Sequence, residues 1–506
     1  MKRLALAVAA LALVLAGCGS SNSDAGSAAT PGGEGGTLRW AINANNSWDP
    51  VTSAAGNEAR HLGLVYAALI GLDEKGNATP GLATAWTFSK DGKQLTLTLR
   101  DDVTFTDGAT LDAAAVKQSL LRAKTQKDSV LTQLLDSVEK IETPDAKTVV
   151  LELGYPDYGL PLVLGGKAGM ITSPNADPKT LPRQPVGAGP FKLTKFVADG
   201  SSTLVRNPGY WDAKDIHLDG VELKYINDPQ AVLAGLQSGS LDLASSSGNQ
   251  LAAAKRAGLN VVQFPSLAAT SIEINDAIKP FDNHKLIEAI NYAIDRKALV
   301  QTQNGGLGEP TYQPFPKGYP GYSEQAAKLY AYDPEKAKQL VKAAGFPNGL
   351  TIPITYFDLP PYDALTEQLQ AQLEAVGIKS KLQTLPLAQA AEKVYVKHEV
   401  AFNPNGIVGR ESPLQMLNVQ YGADGLLNPG RKASPELTRA LKDAAQYPLE
   451  SPQYPAALAK ATLLAAQQSA VVFLYTQPTV LLTTKKVSGI RPYIVATRLE
   501  GVRLAK

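Results

Sequence analysis

The sequence predicts a mixed α/β fold divided into at least two domains, on three observations. Roughly 470 residues follow Thr37, and single hydrophobic cores stop growing at about 250–300 residues. Segments with period-two apolar alternation, such as 94–100, are interspersed with segments whose apolar residues fall at helical spacing, such as 365–376. Helix start and stop signals recur along the chain, with no internal repeat of fixed period.

Taken in order, residues 37–42 read as a strand ended by the polar loop 43–47, and 58–70 as a helix. Gln94 to Arg100 alternates apolar and polar side chains, a half-buried strand, and Asp107-Gly108 marks a turn. From Asp112 onward, Val116, Leu120 and Ala123 lie at helical spacing, and 148–153 is a further strand. Asp228-Pro229 and Asp333-Pro334 each place an N-cap acceptor before a proline at the first helical position. Their helices are expected to stop at Gly239 and Gly345, residues suited to the left-handed position after a helix. Asp282 or Asn283 is expected to cap the helix bearing Leu286, Ile290 and Ile294. Leu365, Leu369, Leu373 and Val376 share one helix face, which ends at Gly377 and feeds a strand over 378–385.

The N-terminus sets the expected compartment. Lys2 and Arg3 precede an apolar run over 4–15. At about 18 Å as a helix, that run is too short for a hydrocarbon core of ~30 Å, so 1–17 read as a signal peptide. Cys18, directly after Leu15-Ala16-Gly17, is the only cysteine. Its setting resembles the bacterial lipobox, in which the thiol receives a diacylglycerol. The Gly/Ser/Ala-rich stretch 18–36 reads as a flexible tether with a reach of roughly 20–25 Å.

Composition removes other classes. A net charge of +2 without a basic stripe gives no nucleic-acid footprint. Four histidines, His61, His217, His284 and His398, stand at no metal-binding spacing, and a lone cysteine forms no intramolecular disulfide. The nucleophile and zinc motifs Gly-x-Ser-x-Gly and His-Glu-x-x-His are missing, and Gly32 to Gly36 lacks the Lys-Ser/Thr of a phosphate loop. No cofactor is expected.

Several segments, in order, resemble the family 5 extracellular solute-binding proteins, the oligopeptide, dipeptide and nickel-binding group. They are Pro80-Gly81-Leu82-Ala83-Thr84-Ala85-Trp86, residues 97–108, Gly187-Ala188-Gly189-Pro190-Phe191, and Arg206-Asn207-Pro208-Gly209-Tyr210-Trp211. Ala289-Ile290-Asn291-Tyr292-Ala293-Ile294-Asp295-Arg296 and residues 332–337 complete the set. The resemblance implies a two-lobed, type II periplasmic-binding-protein clamp with an extra inserted domain. Lobe I is then expected at 37–52, 187–265 and 475–506, the insertion at 53–186, and lobe II at 266–474. Chain crossings near 265–275 and 473–478 would form the hinge. The resemblance further implies capture of a small solute, foremost an oligopeptide or dipeptide, and its delivery to an ABC permease with its ATPase, by a lipid-anchored monomer.

A cleft between α/β lobes draws polar contacts from loops at strand ends. The loop 43–48 offers amides, with Asn45, and the Trp48 indole; the plain alternative is a turn with a core tryptophan. Ser245, Ser246 and Ser247 offer hydroxyls and backbone N–H groups, or simply cap the following helix. Tyr475 and Thr476 sit at the expected hinge, where packing alone also explains them. Residues 403–413 resemble the family loop in which peptide-binding members place an aspartate for the ligand's ammonium group. Here Arg410 stands near that position, followed by Glu411 and Ser412, with no tryptophan. A guanidinium attracts carboxylates and repels ammonium, unless it is a surface arginine paired with Glu411. The cargo alternatives are therefore an anionic small solute, a metal chelate or an oligosaccharide on the same fold, against which the low aromatic content of 7% weighs for long sugars. Glu411 or Asp424 could alternatively take the amine. A surface-anchored hydrolase is the reading from another class.

Overall fold

The computed structural model describes residues 33–43, 47–53, 59–359, 362–386, 389–390, 392–468 and 470–505. The expected leader, Cys18, most of the tether and Asn45 lie outside the described residues.

Strands β1 (Thr37–Ile42), β2 (Ile70–Leu72) and β3 (Ala78–Pro80) precede β4 (Ala83–Phe88), β5 (Gln94–Leu99), β6 (Val138–Glu142) and β7 (Thr148–Leu153). Then come β8 (Phe191–Val197), β9 (Ser201–Arg206), β10 (Gly220–Tyr225), the short β11 (Leu243–Ser245) and the 15-residue β12 (Asn260–Ile274). β13 (Leu350–Phe357), β14 (Ile378–Leu385), β15 (Phe402–Ile407), the 13-residue β16 (Val471–Thr483), β17 (Val487–Ser488) and β18 (Arg503–Leu504) complete the set.

The main sheet runs β15-β12-β16-β11-β1-β10-β9-β8, with β1 parallel to β10 and β11. A separate antiparallel sheet, β4-β5-β7-β6, carries the helix Ala113–Thr125 on one face. That helix starts where Asp112 accepts from the Ala115 N–H. β13 and β14 pair in parallel, joined through the helix Tyr362–Glu374. The Asp-Pro starts behave as expected. Asp228 accepts from the N–H groups of Gln230 and Ala231, Asp333 from that of Lys336, and Gly239 adopts φ +73°. Asn283, not Asp282, caps the helix His284–Ala293.

The expectation of a helix over 58–70 needs correction. Helical structure covers only Ala59–Leu62, and Ile70 begins β2. Gly63 interrupts the run, and the carbonyls of Leu64 and Val65 accept from Phe191 N–H and Gly189 N–H, each at 2.8 Å, instead of from a next helical turn. Tertiary bonding takes the groups that helix propagation needs.

Four larger hydrophobic cores organise the molecule. One, drawn from residues between Val51 and Ala188, fills the space around the four-stranded sheet. A second joins Leu38, Trp40, Phe191, Val221 and Leu243 to Leu62, Leu64, Val65, Tyr66 and Met170. Two more, around Ile290 and Leu369 and around Leu417 and Leu458, lie in residues 269–475. The long strands link these bodies: β12 gives Phe264 to one core and Ile272 to another, and β16 gives Leu481 and Val472 likewise. The crossings expected at 265–275 and 473–478 thus lie side by side in β12 and β16. Their antiparallel pairing shifts register between Phe264 and Ala268 and again between Thr270 and Ser271.

Candidate functional site

Three chain segments meet where the bodies face one another. The first is the C-terminal end of β11. Ser245 is exposed there, Ser246 N–H donates to Val480 O at 2.9 Å, and Ser247 opens the 3-10 turn Gly248–Gln250 without a side-chain capping bond. The second is the short helix Ala59–Leu62, whose Arg60 donates from Nη1 to Ser245 Oγ at 2.9 Å. The third is the loop after β15, from Val408 to Glu411. It ends at Ser412, which caps the helix Pro413–Tyr421 by accepting from Gln415 N–H at 3.3 Å.

Between the second and third of these segments lies a chamber of about 60 Å³, lined by Arg60, Leu134, Val163, Lys167, Val408 to Glu411, Gln415, Val495 and Ala496. A larger cavity of about 600 Å³ shares Arg60, Glu411, Val495 and Ala496 with it and extends past Tyr66, Tyr210, Arg491 and Arg498. The second volume falls in the range of small-molecule sites. The first has room for about four waters.

The electrostatics of the chamber rest on two arginines. Burial pushes both guanidinium groups below their ordinary pKa, with Glu411 partly opposing this at Arg410. Neither makes a salt bridge, and the Nε of each is buried without an acceptor, among the described residues. A buried cation without a partner is costly, and an anion relieves that cost. Arg410 is half-buried, and no salt bridge joins it to Glu411 among the described residues. Glu411 instead lies over Gly166, where an added Cβ would stand 2.4 Å from its Cδ. Lys167 donates to Ser53 O at 2.7 Å.

Two expected contacts go elsewhere. Trp48 is fully buried in the core that holds Leu38 and Phe191, edge-on to His61 at 5.1 Å, so the core alternative is the one the structure adopts. Tyr475 is 2% exposed, packed with Ile272 and Leu474 and held near Thr270 and Gln477. Asp424 contributes only its backbone carbonyl, accepting from Gln133 Nε2 at 2.8 Å.

A second polar cluster lies in the body of β12 and β15. Glu273, fully buried, accepts from Asn405 Nδ2, Asn403 Nδ2 and Tyr395 OH at 3.1, 3.1 and 3.2 Å. Burial lifts its carboxyl to about 7, against the opposing pull of those three donors.

Residues 77–424 match the model of the bacterial extracellular solute-binding proteins, family 5. The chain belongs to that family. Among curated family relatives, the glutathione-binding protein GsiB of Salmonella paratyphi A is 33% identical over 336 residues, and that of Escherichia coli O157:H7 is 32% identical. These alignments span 65% of this chain and 65% of each relative. Solved structures share the two-lobed fold of this family 5 chain. Helicobacter pylori DppA in complex with the peptide STSA superposes with a TM-score of 0.85 at 24% identity, covering 94% of this chain and 99% of that one. AgaA of A. tumefaciens R10 in complex with agropinic acid gives 0.83 at 25% identity, covering 93% and 99%. Campylobacter jejuni NikZ in complex with Ni(L-His) gives 0.79 at 21%, covering 92% and 97%. As the family's name states, these are extracellular proteins, and no helix among the described residues is long and apolar enough to cross a membrane.

Of the residues singled out from sequence, Arg410 and Glu411 line the chamber and Ser245 accepts from Arg60, while Arg60 and Lys167, which line it too, were not singled out. The only signal for Arg60 was a cation beside the apolar Leu62 and Leu64; which lobe end it would reach was not encoded locally.

Proposed function

We propose that this family 5 protein is the solute-capturing component of an ABC importer, held outside the membrane by a lipid on Cys18. Its cargo is a short peptide or peptide-like acid, with one carboxylate docked at Arg410. The observation that carries this reading is the Arg410 guanidinium, its Nε buried without an acceptor, on a chamber that Arg60 and Lys167 also line. A volume of about 60 Å³ suits a carboxylate rather than a whole solute, and the adjoining cavity of about 600 Å³ takes the remainder. Arg60, bridging to Ser245, adds a second positive group at the shared wall. The glutathione-binding relatives support a peptide carrying more than one carboxylate, since glutathione has two. The AgaA complex with agropinic acid supports the neighbouring reading, a non-peptide acid on the same fold. Family membership speaks for binding without turnover, and leaves the hydrolase reading without support.

In operation, solute bridging the facing segments binds the closed arrangement better than the open one and shifts the population toward it. We further propose that β12 and β16, with their shifts in register, flex as the hinge and that the permease reads the closed form.

Isothermal titration against glutathione and against dipeptides with free or amidated C-termini tests the reading. Arg410→Ala is expected to weaken a free-acid ligand tenfold or more, about 1.5–3 kcal/mol for a charged hydrogen bond, and to leave an amidated ligand unchanged. Equal affinity of parent and variant for every free acid that binds would remove Arg410 from the site.

A further inference from the structure

The body formed by residues 51–188 touches its two neighbours in opposite ways. Toward β1, β8 and β10 it is fused by a shared hydrophobic core, in which Leu62, Val65, Tyr66 and Met170 pack with Leu38 and Phe191. Toward the body of residues 269–475 no hydrophobic core spans the boundary among the described residues. Leu134, Val163 and Val408 line the small chamber at this boundary, and polar contacts cross it. Tyr158 N–H donates to Ala445 O at 3.1 Å, and Gln133 Nε2 donates to Asp424 O at 2.8 Å. Glu411 lies over the bare Cα of Gly166. Ser412 Oγ approaches Gly159, where an added Cβ would stand 3.2 Å away.

A boundary without a shared hydrophobic core has little to hold it permanently, and interfaces of this kind let domains move. The fused boundary, in contrast, makes residues 51–188 and the β1–β8–β10 body travel as one. We propose that the 51–188 body is a working jaw of the clamp, and that the seam of Tyr158, Gln133 and Gly166 against Ala445, Asp424 and Glu411 is its reversible latch. Gly166 is the fitted part of the seam: a side chain there occupies the place of the Glu411 carboxylate and keeps the jaw from seating. The latch is a property of the fold that goes beyond the identity of the solute.

The test is a distance measurement by double electron–electron resonance. Spin labels are placed at Val130→Cys and Leu426→Cys in the chain carrying Cys18→Ser. Both sites are exposed, at 42% and 45%, and flank the Gln133–Asp424 contact. Without added solute the parent is expected to show a short and a long distance. Gly166→Val is expected to cut the short fraction at least fivefold without lowering the melting temperature, because no core is disturbed. Gln133→Ala, an exposed change that keeps every glycine, is expected to cut it about twofold and decides the matter if the valine variant does not fold. A single distance common to the parent and these variants, short or long, overturns the latch. Repeating the measurement with millimolar glutathione separates the two proposals. If glutathione shifts no distribution, the cargo reading suffers, while the latch stands or falls on the solute-free comparison alone.

Discussion

Glu273 shows how one buried side chain gives the whole protein a pH dependence. Its carboxyl is raised from an ordinary 4.5 to about 7. Below about pH 4.5 it is protonated in both folded and unfolded chains and costs nothing. Between 4.5 and 7 the unfolded chain releases the proton while the folded one retains it, so stability falls as pH rises; above 7 the loss is complete. A shift of that size amounts to about 3 kcal/mol. Glu273→Gln is expected to remove this slope, because Asn403, whose Oδ1 is buried without a donor, can turn its amide to accept from the new Gln. Urea denaturation at pH 5 and pH 8 checks it: the parent's loss of stability should exceed the variant's by about 2.5 kcal/mol, and equal losses would refute the assignment. Arg410 illustrates the complementary case, a half-buried cation for which the fold supplies no salt bridge among the described residues and to which the proposed function assigns a ligand carboxylate. Sequence reading singled out the charge; its partial burial was invisible, because that follows from which body folds over the loop.

At the scale of elements, the helices with local punctuation formed where the chain announced them, while the one without it did not. The helix Pro229–Ser238 has an aspartate cap and a closing glycine in the left-handed region. Asp228→Ala is expected to cost about 1 kcal/mol by leaving the N–H groups of Gln230 and Ala231 without their acceptor. Gly239→Ala meets nothing within 4 Å, so its cost of roughly 1–2 kcal/mol comes from the backbone conformation alone. Thermal or chemical denaturation of each variant measures both; a neutral Gly239→Ala would mean the helix end relaxes to another conformation. The stretch 58–70 carried apolar spacing but also Gly63, and its carbonyls were claimed by Gly189 and Phe191. Apolar periodicity reports a buried face, yet it does not say whether helical or tertiary hydrogen bonds will satisfy the backbone. The same ambiguity concealed Trp48, whose polar neighbours 43–47 read as a loop that could present it, whereas the indole fills a core.

For the whole molecule, the proposed hinge in β12 and β16 couples binding to closure. A solute at one hundred times its Kd is expected to stabilise the protein by about 2.7 kcal/mol, seen as a rise in melting temperature. It is also expected to reduce the radius of gyration in solution scattering. Stabilisation without compaction would place the solute on one lobe and remove the clamp. Two of the four larger cores share residues 269–475, and the proposed latch rests on the contrast between the core-sharing boundary of residues 51–188 and the one without a shared core.

By itself the sequence determined the mixed α/β class, the capped helices, most strands, the family and the loop that carries Arg410. These depend on local spacing, on turn chemistry and on ordered motifs, all of which are written along the chain. Only the tertiary structure decided that Trp48 and Tyr475 are packed, that Arg60 reaches Ser245 across 185 positions of sequence, and that Arg410 is half-buried with no salt bridge among the described residues. Those outcomes are set by which distant surfaces meet, and burial is a property of the pair of surfaces rather than of either residue.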